Sequence, residues 1–174
     1  MKKYEATSPD VMVIGQAMLS VVSGMLDEVE PILDRYGVSE IDPEVWYPQQ
    51  LFLDMFKELE QATGGNVYNL VSIGMQILEK AAMPPDIHDI PSGLNALHAY
   101  YHMNVCNEDP ERGWTVEERA EGVYDIVCTS PFPFDFEYGI LYAMVRRFAP
   151  PGVDWTVEIT ERTDEYGAYR LTLK

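Results

Sequence analysis

Apolar positions recur every three or four residues through most of the N-terminal half and alternate with polar ones through much of the C-terminal half. The first pattern is that of helices with one buried face and the second that of half-buried strands. The clearest stretch is Thr129 to Phe148 with its flanks. Val123, Ile126 and Val127 read as a strand, and Pro131 and Pro133 then hold the chain out of the helical region. Asp135 is placed to cap a helix, with Glu137 favoured at the same positive end. Phe136, Ile140, Leu141, Met144, Val145 and Phe148 repeat at helical spacing until Pro150, Pro151 and Gly152 end the run. Two strands follow, with Trp155, Val157 and Ile159 alternating with Asp154, Thr156, Glu158 and Thr160, then Tyr169, Leu171 and Leu173 alternating with Ala168, Arg170 and Thr172.

Upstream, residues 10–36 read as one long helix, bent at Pro31. Gln16, Ser20, Ser23 and Asp27 form a narrow polar stripe, and Val11, Ile14, Met18, Val21, Val22, Met25 and Val29 fill much of the remaining circumference. A helix apolar over so wide an arc must be covered on more than one side, so it is either central to the domain or packed on a second copy; the second is the prediction, a homodimer through helix 11–29. Pro48 opens a second helix carrying Leu51, Phe52, Met55, Phe56 and Leu59, broken at Gly64–Gly65. A third spans about 67–81 with Gly74 in its middle, where glycine costs roughly 1 kcal/mol against alanine and admits either a close neighbour, simple helix packing being the favoured reason, or a ligand. Ser92 caps a fourth, 92–101, which places Leu94, Leu97, His98, Tyr101 and His102 on one face. Tyr101, Met103 and Val105 then alternate as a strand, and Trp114, Val116 and Glu118 start another. The sum is an α+β chain: N-terminal helices packed on a C-terminal, mainly antiparallel sheet with one crossing helix. It reads as a single domain over 1–174, with a helical half over about 8–100 and a sheet half over about 101–174 that includes crossing helix 135–148.

The chain has 174 residues, 47% of them hydrophobic, and a net charge of −17. The acidic balance disfavours nucleic acid and anionic membranes. The uncharged run Val11 to Leu26 is short for a membrane span of about 20 residues. Glu5 and Asp10 interrupt the approach from Lys2 and Lys3 to that run, so a secretory signal is weak and a cytoplasmic protein is expected. Cys106 and Cys128 form no CxxC pair and read as two buried thiols.

His98 and His102, four apart, could share a metal or face a haem iron, but no HExxH surrounds them and no third ligand is evident. No structural metal is predicted, and hydrogen-bonded core histidines account for the pair. Asp135, Glu137, Glu158 and Glu161 read as a cap and solvated strand faces rather than an acid/base pair. The sequence carries no nucleotide loop, no GxSxG and no Ser/His/Asp array. An aromatic set with polar tips suits either a pocket or a helix-on-sheet core. The candidate pocket lies between the helices after Pro48 and Ser92 and the strand 123–129. Its ligand-binding residues are Trp46, Tyr68, Gly74, Leu94, His98, Tyr101, His102, Tyr138 and Tyr142, with Gly74 leaving room for the ligand.

The order of Pro43–Glu44–Val45–Trp46–Tyr47–Pro48, Val71–Ser72–Ile73–Gly74, Tyr101–His102–Met103–Asn104, Thr129–Ser130–Pro131–Phe132–Pro133 and Glu137–Tyr138–Gly139 resembles the vinyl-reductase-type ligand-binding domains. Those share a fold with haem nitric-oxide/oxygen sensors and TRAPP vesicle-transport subunits. The resemblance covers about residues 40–174 and implies a cavity between helices and sheet that binds small molecules in sensor members. Glu161 to Leu173 holds no cysteine, so the zinc of many vinyl-reductase-type domains is not expected. The Tyr-x-Ser-x-Arg motif that holds the haem propionates in the sensors is absent. The first functional reading is a non-catalytic small-molecule-binding sensor or accessory domain, taking a small apolar or planar molecule and acting through a signalling partner protein. No cofactor is predicted for it. The second is a tetrapyrrole-binding protein or enzyme accessory of (bacterio)chlorophyll or haem metabolism, which would bring haem or another tetrapyrrole. The third is a structural dimerisation module with a filled core.

Overall fold

The structure is a computed structural model that describes residues 4–22, 26–62, 67–80 and 83–174. The elements run β1 (Met12–Ile14), α1 (Gly15–Val22), α2 (Leu26–Arg35), β2 (Trp46–Pro48), α3 (Gln49–Ala62), α4 (Val67–Lys80), α5 (Ile90–Asn104), β3 (Val105–Cys106), β4 (Trp114–Ala120), β5 (Val123–Cys128), α6 (Phe134–Phe148), β6 (Trp155–Arg162) and β7 (Gly167–Leu173). This is the expected α+β plan. The larger sheet has strand order β4-β5-β7-β6, antiparallel at every pairing, and α6 is the crossing helix. Tyr124, Ile126, Cys128, Tyr169 and Leu171 turn to the buried side of that sheet.

The long helix expected over 10–36 is replaced by a short strand and two helices. Val13 pairs with Tyr47 and with Val105, so β1 is the centre of a second, three-stranded sheet, β2-β1-β3. Three residues are too few to disturb the helical period, which is why this strand was hidden. Loop 42–45 then locks the start of α1. The Gly15 amide donates to the Val45 carbonyl at 2.8 Å, and a side chain at Gly15 would fall 1.9 Å from the Asp42 carbonyl oxygen. Met18, Val21, Val22 and Val29 are all buried in the core of this chain. Those described positions of the wide apolar arc that motivated a homodimer are thus covered from within. Ser23, Met25 and the Gly64–Gly65 break lie outside the described residues.

Three helix starts also differ. Pro48 closes β2 instead of opening α3. Asp89, not Ser92, caps α5: its side chain accepts from the Ser92 amide at 2.9 Å, and Ser92 answers as the third residue of a capping box. That helix runs to Asn104, so the expected strand from Tyr101 shrinks to Val105–Cys106. Asp135 does not cap α6; Pro133 holds the cap position, and Asp135 accepts instead from Arg162 at 2.9 Å. Cys128 is buried, whereas Cys106 is half-buried on β3.

Helices α4 and α6 make the most extensive helix–helix contact. Two glycines permit it. A Cβ on Gly74 would sit 2.2 Å from the Phe136 carbonyl oxygen, and one on Gly139 would sit 2.2 Å from that of Val71. The backbones meet there directly.

On the outer face of the sheet, Asp125 accepts from Arg170 at 2.7 and 3.0 Å and from Arg119 at 2.9 Å. Hydrogen bonds from Arg170 first and Arg119 second hold its carboxyl down at about 2, from an ordinary 3.8. A carboxyl whose folded pKa is depressed stabilises the fold above its unfolded pKa and loses that contribution as the pH falls through the folded value. Asp125→Asn should therefore melt slightly below the native protein at neutral pH. The gap should close as the pH is lowered from about 4 to about 2. The effect is small because these groups are solvated. Calorimetry across that window checks it, and a gap that stays constant would show that the ion pairs contribute nothing.

Candidate functional site

A cavity of about 700 Å³ lies between α1, α5, the start of α6 and the Trp114 end of β4. Its floor is aromatic. Phe52 from α3, Phe132 from the 129–133 turn and Phe136 from α6 line it, and Phe56 packs behind them with its ring centroid 4.7 Å from that of Phe136. Burying each such ring contributes about 1.5–3 kcal/mol, so this cluster also holds the helices on the sheet. Val13, Ala17, Leu19, Val21, Ile77, Leu78, Leu97, Val105 and Ile140 complete an apolar wall. Gln16 and Met103, both exposed, stand at the mouth.

The polar groups are few. Tyr101 lines the cavity, and its hydroxyl donates to Glu108 at 3.1 Å. Tyr100 also lines it and donates to the Met83 sulfur at 3.3 Å. Burial, with Glu108 adding for Tyr101, pushes both phenols above the ordinary tyrosine range, so both stay neutral donors. Ser130 and Glu137 face the cavity from either end of the 130–137 turn, and each is 1% exposed. The Ser130 hydroxyl accepts from the Phe132 amide at 3.2 Å and donates to Glu137 Oε1 at 2.7 Å. The Tyr169 hydroxyl, reaching from β7, donates to Glu137 Oε2 at 3.0 Å. Burial and the neighbouring Glu137 raise the Tyr169 phenol far above its ordinary range, which keeps it a donor. A buried carboxyl is expensive unless hydrogen-bonded, and these two hydroxyls supply that support.

Of the eight expected pocket residues whose side chains are described, Tyr101 alone lines this cavity. Leu94 is core, 1% exposed, on another part of α5. Gly74 leaves no room for a ligand, because its missing side chain admits the backbone of α6. Tyr138 and Tyr142 lie on the opposite side of α6, where Tyr142 packs against Trp155 at 4.8 Å and Tyr138 approaches the Val157 carbonyl. Trp46 is 39% exposed on β2. Tyr68 belongs to α4, and its side chain is outside the described residues. His98 and His102 lie with ring centroids 4.6 Å apart and planes tilted by 56°, on the flank of α5 that faces the turn before β4. His102 Nε2 meets the Arg112 carbonyl at 2.9 Å, while His98 Nδ1 is buried beside Gly113 without a hydrogen-bond partner among the described residues. Among the described residues, no group of three or more His, Cys, Asp or Glu is placed to hold a metal ion.

Sequence reasoning placed neither the α1 segment nor Glu137 at the pocket. The polar stripe of Gln16 and Ser20 was visible, and it is this stripe that reaches the cavity. Glu137 was read as a solvated helix-start charge. The available signal was its position one turn after two prolines, between Phe136 and Tyr138 in an otherwise apolar stretch.

No protein-family model matches the chain, and no curated protein matches it either. Solved structures do. A mutant H-NOX protein from K. algicida in the Fe(II) unliganded state superposes with a TM-score of 0.67 at 13% identity, over 92% of this chain and 96% of that one. An oxygen-binding H-NOX domain related to soluble guanylate cyclases, in its oxygen complex, gives 0.64 at 16% identity over 92% of both chains. An H-NOX protein from S. oneidensis in the Fe(II)NO ligation state gives 0.63 at 10% identity, over 92% of this chain and 99% of that one. The haem-sensor part of the expected resemblance is thereby borne out at the level of architecture: the chain has an H-NOX-like α+β fold.

Proposed function

We propose that this chain is a non-catalytic small-molecule-binding sensor or accessory domain that takes its ligand in the α1–α5–α6 cavity. The observation that carries the reading is the cavity itself, about 700 Å³, mostly apolar, with a few convergent polar groups. Sites for small organic ligands have that size and composition. The shared fold with H-NOX sensors supports the same class of function by analogy. The third reading, a filled core, is opposed by the same cavity. A homodimer is not needed to cover Met18, Val21, Val22 and Val29, which already pack inside the chain.

The second reading brings haem, since the solved structures of this fold include iron-bound H-NOX proteins. The described residues of this chain do not fit it. Haem is held by an imidazole, thiolate, thioether or phenolate. Among the described residues lining the cavity there is no His, Cys, Lys or Arg. His98 and His102 face the Arg112–Gly113 turn. Tyr100 and Tyr101 resist ionisation. Met103 remains, 68% exposed at the mouth. The lining offers no cation for the two propionates.

Trp114 lines the cavity, while Trp46 and Trp155 stand outside its lining, so Trp114 fluorescence reports on filling. Octanol should change the emission saturably in the native protein and not in Trp114→Phe. Haem added to the same protein should give no stoichiometric Soret band. A Soret band at one haem per chain would favour the tetrapyrrole reading, and absence of any saturable uptake would end the pocket reading.

A further inference from the structure

The small sheet β2-β1-β3 has two unlike faces, because successive strand residues point to opposite sides. On the inner side Tyr47, Val13 and Val105 stand opposite one another and are buried, and Val13 and Val105 line the cavity. On the outer side Ile14 stands opposite Trp46, and Met12 stands between Pro48 and Cys106. None of these five is buried: Trp46 and Pro48 are exposed, and Met12, Ile14 and Cys106 are half-buried. None of them carries a charge. An apolar face that runs across three strands and stays open is the mark of an interaction surface. The sheet is one layer thick, so it is the wall between this face and the cavity.

The charge around the face selects what covers it. The three segments that carry the strands, described residues 4–16, 38–48 and 103–111, hold two, three and three acidic residues and no Lys or Arg. The next cation along the chain, Arg112, donates to the Thr129 carbonyl at 3.1 Å. A second copy would set the same acidic rim against this one, and like charges facing each other oppose association. An anionic membrane is repelled by the same rim. Size points the same way. Three strands of this length present a face of about 10 Å by 10 Å, whereas a stable pair of globular surfaces buries about 800 Å² on each side. The face is matched to a short segment with apolar side chains at its centre and cations around them.

Resting on the sensor reading above, we propose that the outer face of β2-β1-β3 docks a short, basic, amphipathic segment of a partner protein. Its apolar side chains lie on Ile14 and Trp46, and its Lys and Arg side chains reach the acidic rim.

The probe is a synthetic amphipathic peptide of Leu and Lys, about 14 residues long so that it can form a helix. Two controls keep its pattern: one has Glu for every Lys, the other Ser for every Leu. Binding is read by anisotropy of a dye on the peptide at about 0.15 M salt, where distant charges are screened. Its place is read by protection of the half-buried Cys106 from alkylation, Cys128 being buried. The Leu–Lys peptide should bind one per chain and protect Cys106. Both controls should bind at least tenfold more weakly. Trp46→Ser and Ile14→Thr leave the charge unchanged, and each should weaken the Leu–Lys peptide at least tenfold. Equal binding of the Ser–Lys peptide, or binding that both variants leave unchanged, reduces the effect to attraction by an acidic surface and overturns the inference. So does equal binding of the Leu–Glu peptide, binding that leaves Cys106 reactive, or no binding at all. A concentration-dependent dimer of the native chain that Trp46→Ser abolishes would give the face to a second copy and overturn it too. Should either variant not fold, the three peptides and Cys106 protection on the native protein still decide. None of these outcomes uses a cavity ligand. Docking can fail while octanol still fills the cavity, and failure of octanol uptake ends the pocket reading alone.

Discussion

Gly74→Leu will not give a folded protein, and the milder Gly74→Ala will lower the melting temperature by roughly 4–8 °C. The atom added by alanine would stand 2.2 Å from the Phe136 carbonyl oxygen and 3.0 Å from the Ile140 amide nitrogen. Both are backbone atoms of α6, which cannot swing aside as a side chain can. Overpacking of this kind costs about 3 kcal/mol. Alanine recovers about 1 kcal/mol through its better helix propensity, leaving about 2 kcal/mol of net loss. In a chain of this size each kcal/mol is worth about 2–4 °C. Gly139→Ala should behave alike, since its added atom would stand 2.2 Å from the Val71 carbonyl oxygen. Thermal denaturation of the two single variants checks this. An unchanged melting temperature in either would show that α4 and α6 do not touch through these glycines.

Ala17→Phe should abolish uptake of octanol while leaving the melting temperature unchanged or raised. Ala17 lines the cavity from α1 and is half-buried, so a phenyl ring placed there can turn into the open space. Filling apolar space restores the contacts that its lining lacks, which is the reverse of the large-to-small penalty. The expected loss of affinity is at least tenfold, read from Trp114 fluorescence. The pair of variants separates two roles that the sequence merges. Gly74 should govern stability and Ala17 should govern binding. If Ala17→Phe binds octanol as the native protein does, the cavity is not where octanol binds.

The alternation of Tyr169, Leu171 and Leu173 and the three-to-four repeat from Phe136 to Phe148 carry the sheet and its crossing helix by themselves. Both are local periods that hydrophobic burial imposes on any chain, so they can be read without knowing what covers them. The same argument failed for Met12 to Ile14, where three residues are too short to show a period of two inside a run that suits a helix. Only pairing with β2 and β3, from 32 or more residues away in register, makes that strand. Gly74 was legible as a small residue at a close contact, but whether a ligand or a helix approached it depended on Gly139, a partner far along the chain.

Glu137 marks the boundary between the two kinds of information. Its identity and its place near the start of a helix were legible, and a carboxylate there is ordinarily a solvated partner of the helix dipole. Its burial followed from which way α6 turned when the helix docked on Gly74, and from the Tyr169 hydroxyl reaching across from the last strand. Local sequence determined that this chain would be helices on an antiparallel sheet, because secondary structure answers to neighbours a few residues away. Tertiary structure alone decided that a fully buried acid would face an apolar cavity. That cavity is the volume left between elements distant in sequence, and no periodicity within any one of them records its shape.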